Sequence, residues 1–333
     1  MEKKCFIGID ISKKTLDVVL NSPLKKHSDE ETYLKVSNDS EGFKEIFSWL
    51  KKKRISSREL VVGMENTGIY GFALRLYLES KHVYYCVFMP LDLKLSLGLI
   101  RGKNDKVDAE RIAYYTWLHR DELHYSRLSG SSILHLQELA VERKRFVKQL
   151  AEYEGLLTEG KNRSKTASYT RAEKAKVFLE EEIKAVEAEM QEVIEHDSYL
   201  LKNYALLLSI KGIGSVNAIS AIVHTNNFKG FETARQYACY LGIAPFGRTS
   251  GTSIKGKPKV SHIGAKLLKA DLSQAAKSAV VWDREMKIYY ERKIKEGKAY
   301  GVVLNAVKFK LVCRMFAVVR RGTPFVDLQT YKN

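Results

Sequence analysis

The stretch Cys5-Phe6-Ile7-Gly8-Ile9-Asp10-Ile11, the polar Ser12-Lys13-Lys14 and the run from Thr15 to Leu20 together decide the fold class. Both apolar runs are rich in β-branched residues, and the link between them is short and polar, which reads as a β-hairpin. Working outward, Tyr33 to Val36 supplies a third strand. A helix follows from about Ser40, with an apolar stripe at Phe43, Ile46, Phe47 and Leu50. Leu60 to Met64 and Val83 to Phe88 read as two further strands, separated by a helix near Tyr70 to Leu78. Three antiparallel strands, then strands alternating with helices, predict an α/β domain over residues 1–125, a mixed sheet with helices on its faces.

Two helical blocks follow. Residues 126–200 have no internal proline, and Leu139, Phe146, Leu150, Tyr153 and Leu157 recur at helical spacing with Arg143 interrupting once. Leu179, Ile183, Val186, Met190 and Val193 repeat it without a break. Each helix thus carries one apolar seam, as in a coiled coil, and Gly160 to Lys165 reads as the turn between them. The seams suit an antiparallel pair within one chain and pairing with a second chain equally. Residues 201–333 read as a mainly helical domain with glycine clusters at Lys211-Gly212-Ile213-Gly214 and from Gly242 to Gly256.

Charge narrows the function. The 333 residues carry 56 Lys+Arg against 39 Asp+Glu, a formal net charge of +17. Residues 228–333 hold 21 basic against 7 acidic residues, whereas residues 131–200 hold 11 against 14. A surplus concentrated in one third points to a polyanion, and nucleic acid is the expected partner. No apolar run approaches the roughly 20 residues that span a bilayer, and no secretory h-region follows the N-terminus. Four cysteines, at 5, 86, 239 and 313, form no paired metal spacing. Reduced thiols in a cytoplasmic protein are expected.

Four carboxylates carry the chemistry. Asp10 lies inside the first strand, where a charge opposes strand propensity. Glu65 ends the fourth apolar run, in Gly63-Met64-Glu65-Asn66-Thr67-Gly68. Asp105 and Asp108 begin a helix, and a spacing of three residues puts both on one face. Singly they read as ordinary: Asp105 as a helix N-cap, Glu65 as a strand-end charge. Together they supply the oxygen ligands that two Mg²⁺ ions need for phosphoryl transfer, with Mn²⁺ as a possible substitute.

In that combination the chain resembles a RuvC-like, ribonuclease H-type nuclease core: a strand Asp in a first hairpin, a Glu on the fourth strand, two Asp on a later helix. Arg101-Gly102-Lys103-Asn104-Asp105-Lys106-Val107-Asp108-Ala109 is similar to the last motif of the DEDD transposases of the insertion-sequence 110 family, relatives of the pilin-gene invertase. An actin-like sugar kinase also opens with a strand Asp, but no Gly-rich phosphate loop of that type follows here.

The third block adds two elements. Leu206 through Ala218 reads as helix, tight turn, helix, and resembles a helix-hairpin-helix whose Lys211, Gly212 and Gly214 would meet a phosphate backbone. Tyr240-Leu241-Gly242-Ile243-Ala244-Pro245-Phe246-Gly247-Arg248-Thr249-Ser250-Gly251-Thr252 reads on chemistry alone as a polar, glycine-rich loop. The family's matching stretch ends in a Ser-Gly pair whose serine joins covalently to DNA, and the resemblance assigns that role to Ser250, beside the hydroxyls of Thr249 and Ser253. Lys255, Lys257 and Lys259, in the following basic motif, and Arg248 would contact nucleic acid. Ala265 stands where the family commonly has Asn after the glycine.

The resemblance implies a DNA transposase or recombinase with a composite site: carboxylates holding Mg²⁺ and Ser250 attacking the scissile phosphate. It also implies donor and target DNA, a structured guide RNA encoded by the element, and a homo-oligomer, dimer or tetramer, as partners. Two other readings stand beside it. One is a metal-dependent junction nuclease that uses water; the other is a non-catalytic nucleic-acid binder whose carboxylates are structural.

Overall fold

The computed structural model describes residues 5–21, 32–96, 104–159, 166–250, 254–260 and 264–327. Arg101 to Lys103, the turn Gly160 to Lys165, Gly251 to Ser253 and Ser261 to Ile263 therefore lie outside the described residues. The chain separates into two compact units, Met1–Leu128 and Ser129–Asn333.

In the first unit the elements run β1 (Cys5–Ile11), β2 (Thr15–Asn21), β3 (Tyr33–Ser37), α1 (Ser40–Lys52), β4 (Leu60–Glu65), α2 (Phe72–Ser80), β5 (Tyr84–Phe88), α3 (Pro90–Ser96) and α4 (Asp105–Leu118). They form a five-stranded mixed sheet of order β3-β2-β1-β4-β5. The β1–β2 and β2–β3 pairs are antiparallel, while β1–β4 and β4–β5 are parallel. The expected hairpin and its neighbours are thus present. The helix read near Tyr70 begins as a 3₁₀ turn, Gly68–Gly71, entered through Gly68 at φ +66°.

Strand alternation sorts the sheet into two faces. Ile7, Ile9 and Ile11 join Leu16, Val18, Val62 and Met64 under α1 and α2, where Phe43, Ile46, Leu50, Leu74 and Leu78 complete a core. The opposite face carries Gly8, Asp10, Asp17, Val19 and Gly63, and there α4 packs through Ala109 and Ala113. The apolar face holds the sheet, which leaves the other free to carry charge.

The second unit contains α5 (Ser131–Glu159), α6 (Ala167–Glu195), α7 (Ser198–Leu208), α8 (Ser215–His224), α9 (Ala234–Tyr240), β6 (Pro245–Ser250), β7 (Ile254–Val260), α10 (Lys266–Trp282), α11 (Arg284–Lys295) and α12 (Tyr300–Arg321). The seams of α5 and α6 meet within the chain. Cross-links run His135 to Glu189 at 3.0 Å, Arg143 to Glu187 at 2.7 Å and Lys176 to Glu154 at 3.5 Å. Partner numbers fall as the first numbers rise, so the pair is antiparallel. Leu139, Val186 and Met190 are buried, and they share one core with Leu207, Ile222, Ala276, Val307 and Leu311 of the later helices.

One expectation needs correction. The stretch read as a polar loop, Tyr240 to Thr252, contains a strand: β6 and β7 form an antiparallel hairpin pairing Ser250 with Ile254, Thr249 with Lys255 and Arg248 with Gly256. Its strands are polar and glycine-bearing, so neither apolar alternation nor a buried face announces them. Among the described residues no helix is long and apolar enough to cross a membrane.

Candidate active site

The carboxylate site begins with two glycines. Gly8 and Gly63 are side by side in the parallel β1–β4 ladder. A Cβ on Gly8 would collide with the backbone of Ala109 and Ala113, and one on Gly63 with the hydroxyl of Thr116. These two missing side chains let α4 lie directly on the sheet. The first turn of that helix therefore reaches the end of the sheet where Asp10 and Glu65 stand on the same face as the glycines.

Helix α4 opens with its dipole facing this end. Asn104 is the N-cap, its side-chain oxygen accepting from the Lys106 N–H at 3.2 Å. The N-cap reading of Asp105 is thereby corrected: the cap is one residue earlier, and Asp105 and Asp108 sit inside the first turn. Carboxylates there are favoured by the unpaired N–H groups of the helix start. Asp105 is exposed; Asp108 is largely covered and lies 3.5 Å from Arg111 Nη1. The Arg111 Nε is a buried donor without a partner among the described residues.

The other three carboxylates all act on Asp10. Burial, and then the charges of Asp108, Asp105, Glu65 and Asp17, push the Asp10 carboxyl up to about 6. Asp10 has no hydrogen-bond or ion-pair partner among the described residues, so nothing local offsets that field. Convergence of oxygen donors around an under-compensated carboxylate suits a hard divalent cation. The set is nonetheless wider than a ligand shell: among the described residues no group of three or more His, Cys, Asp or Glu is arranged to hold a metal ion as it stands.

Four neighbours are not singled out by motif in the sequence: Asp17, Tyr33, Lys35 and Lys106. Asp17, 2% exposed, lies directly opposite Asp10 in the β1–β2 register. It accepts a hydrogen bond from the Tyr33 hydroxyl at 2.5 Å and lies 3.3 Å from the Lys35 ammonium. Lys35 also stands 3.9 Å from Asp105, and Lys106 lies over the Tyr33 ring at 5.1 Å. The signal that identified Asp10, a carboxylate inside a β-branched run, was equally present at Asp17.

In the second unit, Ser250 ends β6, and Arg248, Lys255, Lys257 and Lys259 lie along the β6–β7 hairpin. The base of that hairpin is held from both sides. Lys269 Nζ donates to the Gly242 carbonyl at 2.9 Å, and Asn305 Nδ2 donates to the Ile243 carbonyl at 2.7 Å. A Cβ on Gly264 would meet Gly242 Cα at 2.7 Å, so the returning chain presses on the same turn. In the helix-turn-helix segment, Gly214 precedes α8 in open space, whereas Gly212, at φ +94°, lies against Ala275 and Ala279 of α10. The Lys211 ammonium is 2.9 Å from Asp327.

A mixed sheet gathering carboxylates at the ends of its strands, joined to a basic helical unit, defines the class: an enzyme that works on nucleic-acid strands. Residues 7–159 match a DEDD-type transposase family model, and residues 204–291 match the model of the transposase IS116/IS110/IS902 family. The pilin gene-inverting protein of Moraxella bovis is 26% identical over 97% of this chain and 98% of its own length. The counterpart from Moraxella lacunata shows the same identity and coverage. An insertion element IS110 protein of Streptomyces coelicolor is 29% identical over 44% of this chain and 35% of its own. The chain belongs to the insertion-sequence 110 family of transposases and is an enzyme of DNA transposition and recombination. A DEDD-type family points to use of a divalent metal.

Proposed function

We propose that this transposase has a RuvC-like catalytic domain in which Asp10, Glu65, Asp105 and Asp108 hold a pair of Mg²⁺ ions, since four carboxylates charge-balance two divalent cations. The observation that carries the reading is the convergence on Asp10, whose carboxyl is raised by the charges of the other three after its own burial. The metal, when bound, polarises phosphate oxygens and stabilises the charge that develops on them. Strand order β3-β2-β1-β4-β5, antiparallel then parallel, supports the ribonuclease H-type assignment.

Ser250 is the nucleophile in this reading. Its Oγ loses a proton as the Oγ–P bond forms, the P–O bond of the DNA strand breaks, and the departing oxygen takes up a proton as a free hydroxyl. Because one phosphoester replaces another, the bond energy is kept for rejoining. Arg248, Lys255, Lys257 and Lys259, with the Lys211-Gly212-Ile213-Gly214 turn, hold backbone phosphates without reading sequence. Target choice falls to a structured RNA encoded by the element that pairs with donor and target DNA. The acting form is a dimer or tetramer, working at the nucleoid.

The test is strand cleavage with purified protein. Asp10→Ala, Glu65→Ala and Asp105→Ala should each abolish Mg²⁺-dependent cleavage while leaving DNA binding largely intact, since each removes a ligand and no phosphate contact. Full cleavage by Asp10→Ala in Mg²⁺ buffer overturns the assignment.

A further inference from the structure

We propose that Lys308, flanked by Lys269 and Lys277, forms a seat for a backbone phosphate of the DNA strand at the base of the β6–β7 hairpin. Lys308 lies in the middle of α12 and is only 7% exposed. Among the described residues its ammonium makes no hydrogen bond and no ion pair. The ammonium is not among the buried polar atoms that lack a partner, so the stem of Lys308 is covered while its charge stays within reach of solvent and of an anion.

Its surroundings are positive. Burial, then the charges of Lys269 and Lys277, lower its pKa, and among the described residues no carboxylate acts in the other direction. The nearest acid on α10, Asp271, is 3.6 Å from Lys144 of α5. Lys269 and Lys277 fall on one stripe of α10, which packs against α12. Three ammonium groups thus gather on two helices. Lys269 spends one donor on the Gly242 carbonyl and keeps two.

Position gives the site its purpose. Asn305, one turn before Lys308 on α12, holds the Ile243 carbonyl, and Lys269 holds that of Gly242. The Gly242 and Ile243 carbonyls lie three and two residues before β6, whose other end is Ser250. At about 3.3 Å per residue, the five steps of β6 put Ser250 roughly 16 Å from the start of that strand. The seated phosphate is then a few nucleotides from the one attacked, and Lys308 is a positioning residue. Compact ammonium charges suit a phosphodiester and read no base. The purpose, though not the anion site itself, rests on the reading of Ser250 as nucleophile.

The experiment uses the full chain and a fluorescent DNA duplex of random sequence, titrated at several salt concentrations. Lys308→Met should keep or raise the melting temperature, weaken binding roughly tenfold and reduce the slope of log affinity against log salt by about 0.9, the loss of one phosphate contact. Lys308→Arg should restore the slope. Lys277→Gln, a change on the exposed side of α10, should lower the slope too, which keeps the test open if Lys308→Met folds poorly. An unchanged slope in both variants overturns the site, as does a loss confined to an RNA duplex of the same sequence. Binding is scored in a Ser250→Ala background as well. Cleavage that survives Ser250→Ala would defeat the nucleophile reading alone, because the salt slope is measured without any strand cleavage.

Discussion

Asp10 and Asp17 face each other across the β1–β2 ladder, and only Asp17 is supplied with partners. Tyr33 and Lys35 answer the buried charge of Asp17, so its role is to be satisfied in place. Asp10 is left to interact with Asp108, Asp105 and Glu65. The sheet therefore carries two strand carboxylates of opposite character, one structural and one held at a cost to folding.

That cost is measurable. Burial and neighbouring charges raise the Asp10 carboxyl from 3.8 to about 6, so the folded state disfavours its ionised form. The penalty is full above about pH 6 and vanishes below about pH 4, where the group is protonated folded and unfolded alike. In the presence of a chelator, Asp10→Asn should melt higher than the natural chain at pH 7.5. The gain should shrink as the pH falls through 6 toward 4. Added Mg²⁺ should raise the melting point of the natural chain and not that of the variant. A lower melting point for Asp10→Asn at neutral pH would contradict the raised value.

Asp17 should behave in the opposite way. Removing a buried acceptor strands the Tyr33 hydroxyl and leaves Lys35 with only Asp105 nearby. Asp17→Ala should cost roughly 2–3 kcal/mol in urea unfolding, and Tyr33→Phe about 1 kcal/mol. Cleavage should fall with Asp17→Ala in proportion to the folded fraction, because Asp17 fixes β2 and β3 beside α4. Unchanged stability in Asp17→Ala would show that its hydrogen bond and ion pair contribute nothing.

The approach of α4 makes a third prediction. At Gly8 an added methyl meets helix backbone, which cannot rotate away as a side chain can. Gly8→Ala should therefore destabilise by about 3 kcal/mol or more, at the upper end for overpacking. Should the variant still fold, α4 must lift, carrying Asp105 and Asp108 away from Asp10. Its cleavage would then be lost even at temperatures where circular dichroism shows a folded protein. Gly214→Ala, with open space at its Cβ, is the control and should keep its stability within about 1 kcal/mol. Equal stability of Gly8→Ala and the natural chain would mean the helix does not rest on that glycine.

Much of the first unit was legible because its signals are local. Ile7, Ile9 and Ile11 alternate with Gly8 and Asp10, so the sequence alone separates an apolar face from one bearing a carboxylate. Asp105 and Asp108 declare their shared face by spacing. Tyr33 and Lys35 were harder, since their value lies in pairing across strands with Asp17, which spacing along the chain does not reveal. The β6–β7 hairpin reads as a loop because its residues are polar and lack the alternation that marks a half-buried strand. Asn305 is 62 residues from the carbonyl it holds, and no pattern in the chain joins the two.

The last prediction separates a recombinase from a hydrolytic nuclease. With a serine nucleophile, one DNA end stays on the protein between cutting and rejoining, whereas water leaves none. A substrate nicked beside the cleavage site lets the fragment that would reverse the reaction diffuse away, so the covalent species accumulates. Mass spectrometry should then place the phosphodiester on the peptide containing Ser250, the last residue of β6. Ser250→Ala should lose adduct and recombination together, yet keep Mg²⁺ and DNA binding, since one hydroxyl adds little to an interface held by many charges. Ser250→Cys should keep at most a trace, because a thiolate is a good nucleophile but a soft ligand beside a hard cation. An adduct on Thr249 or Ser253 would retain the covalent mechanism and move the nucleophile by one or a few residues. Undiminished cleavage by Ser250→Ala, with no adduct anywhere, would give the reaction to water and leave the carboxylates around Asp10 as the whole of the catalytic machinery.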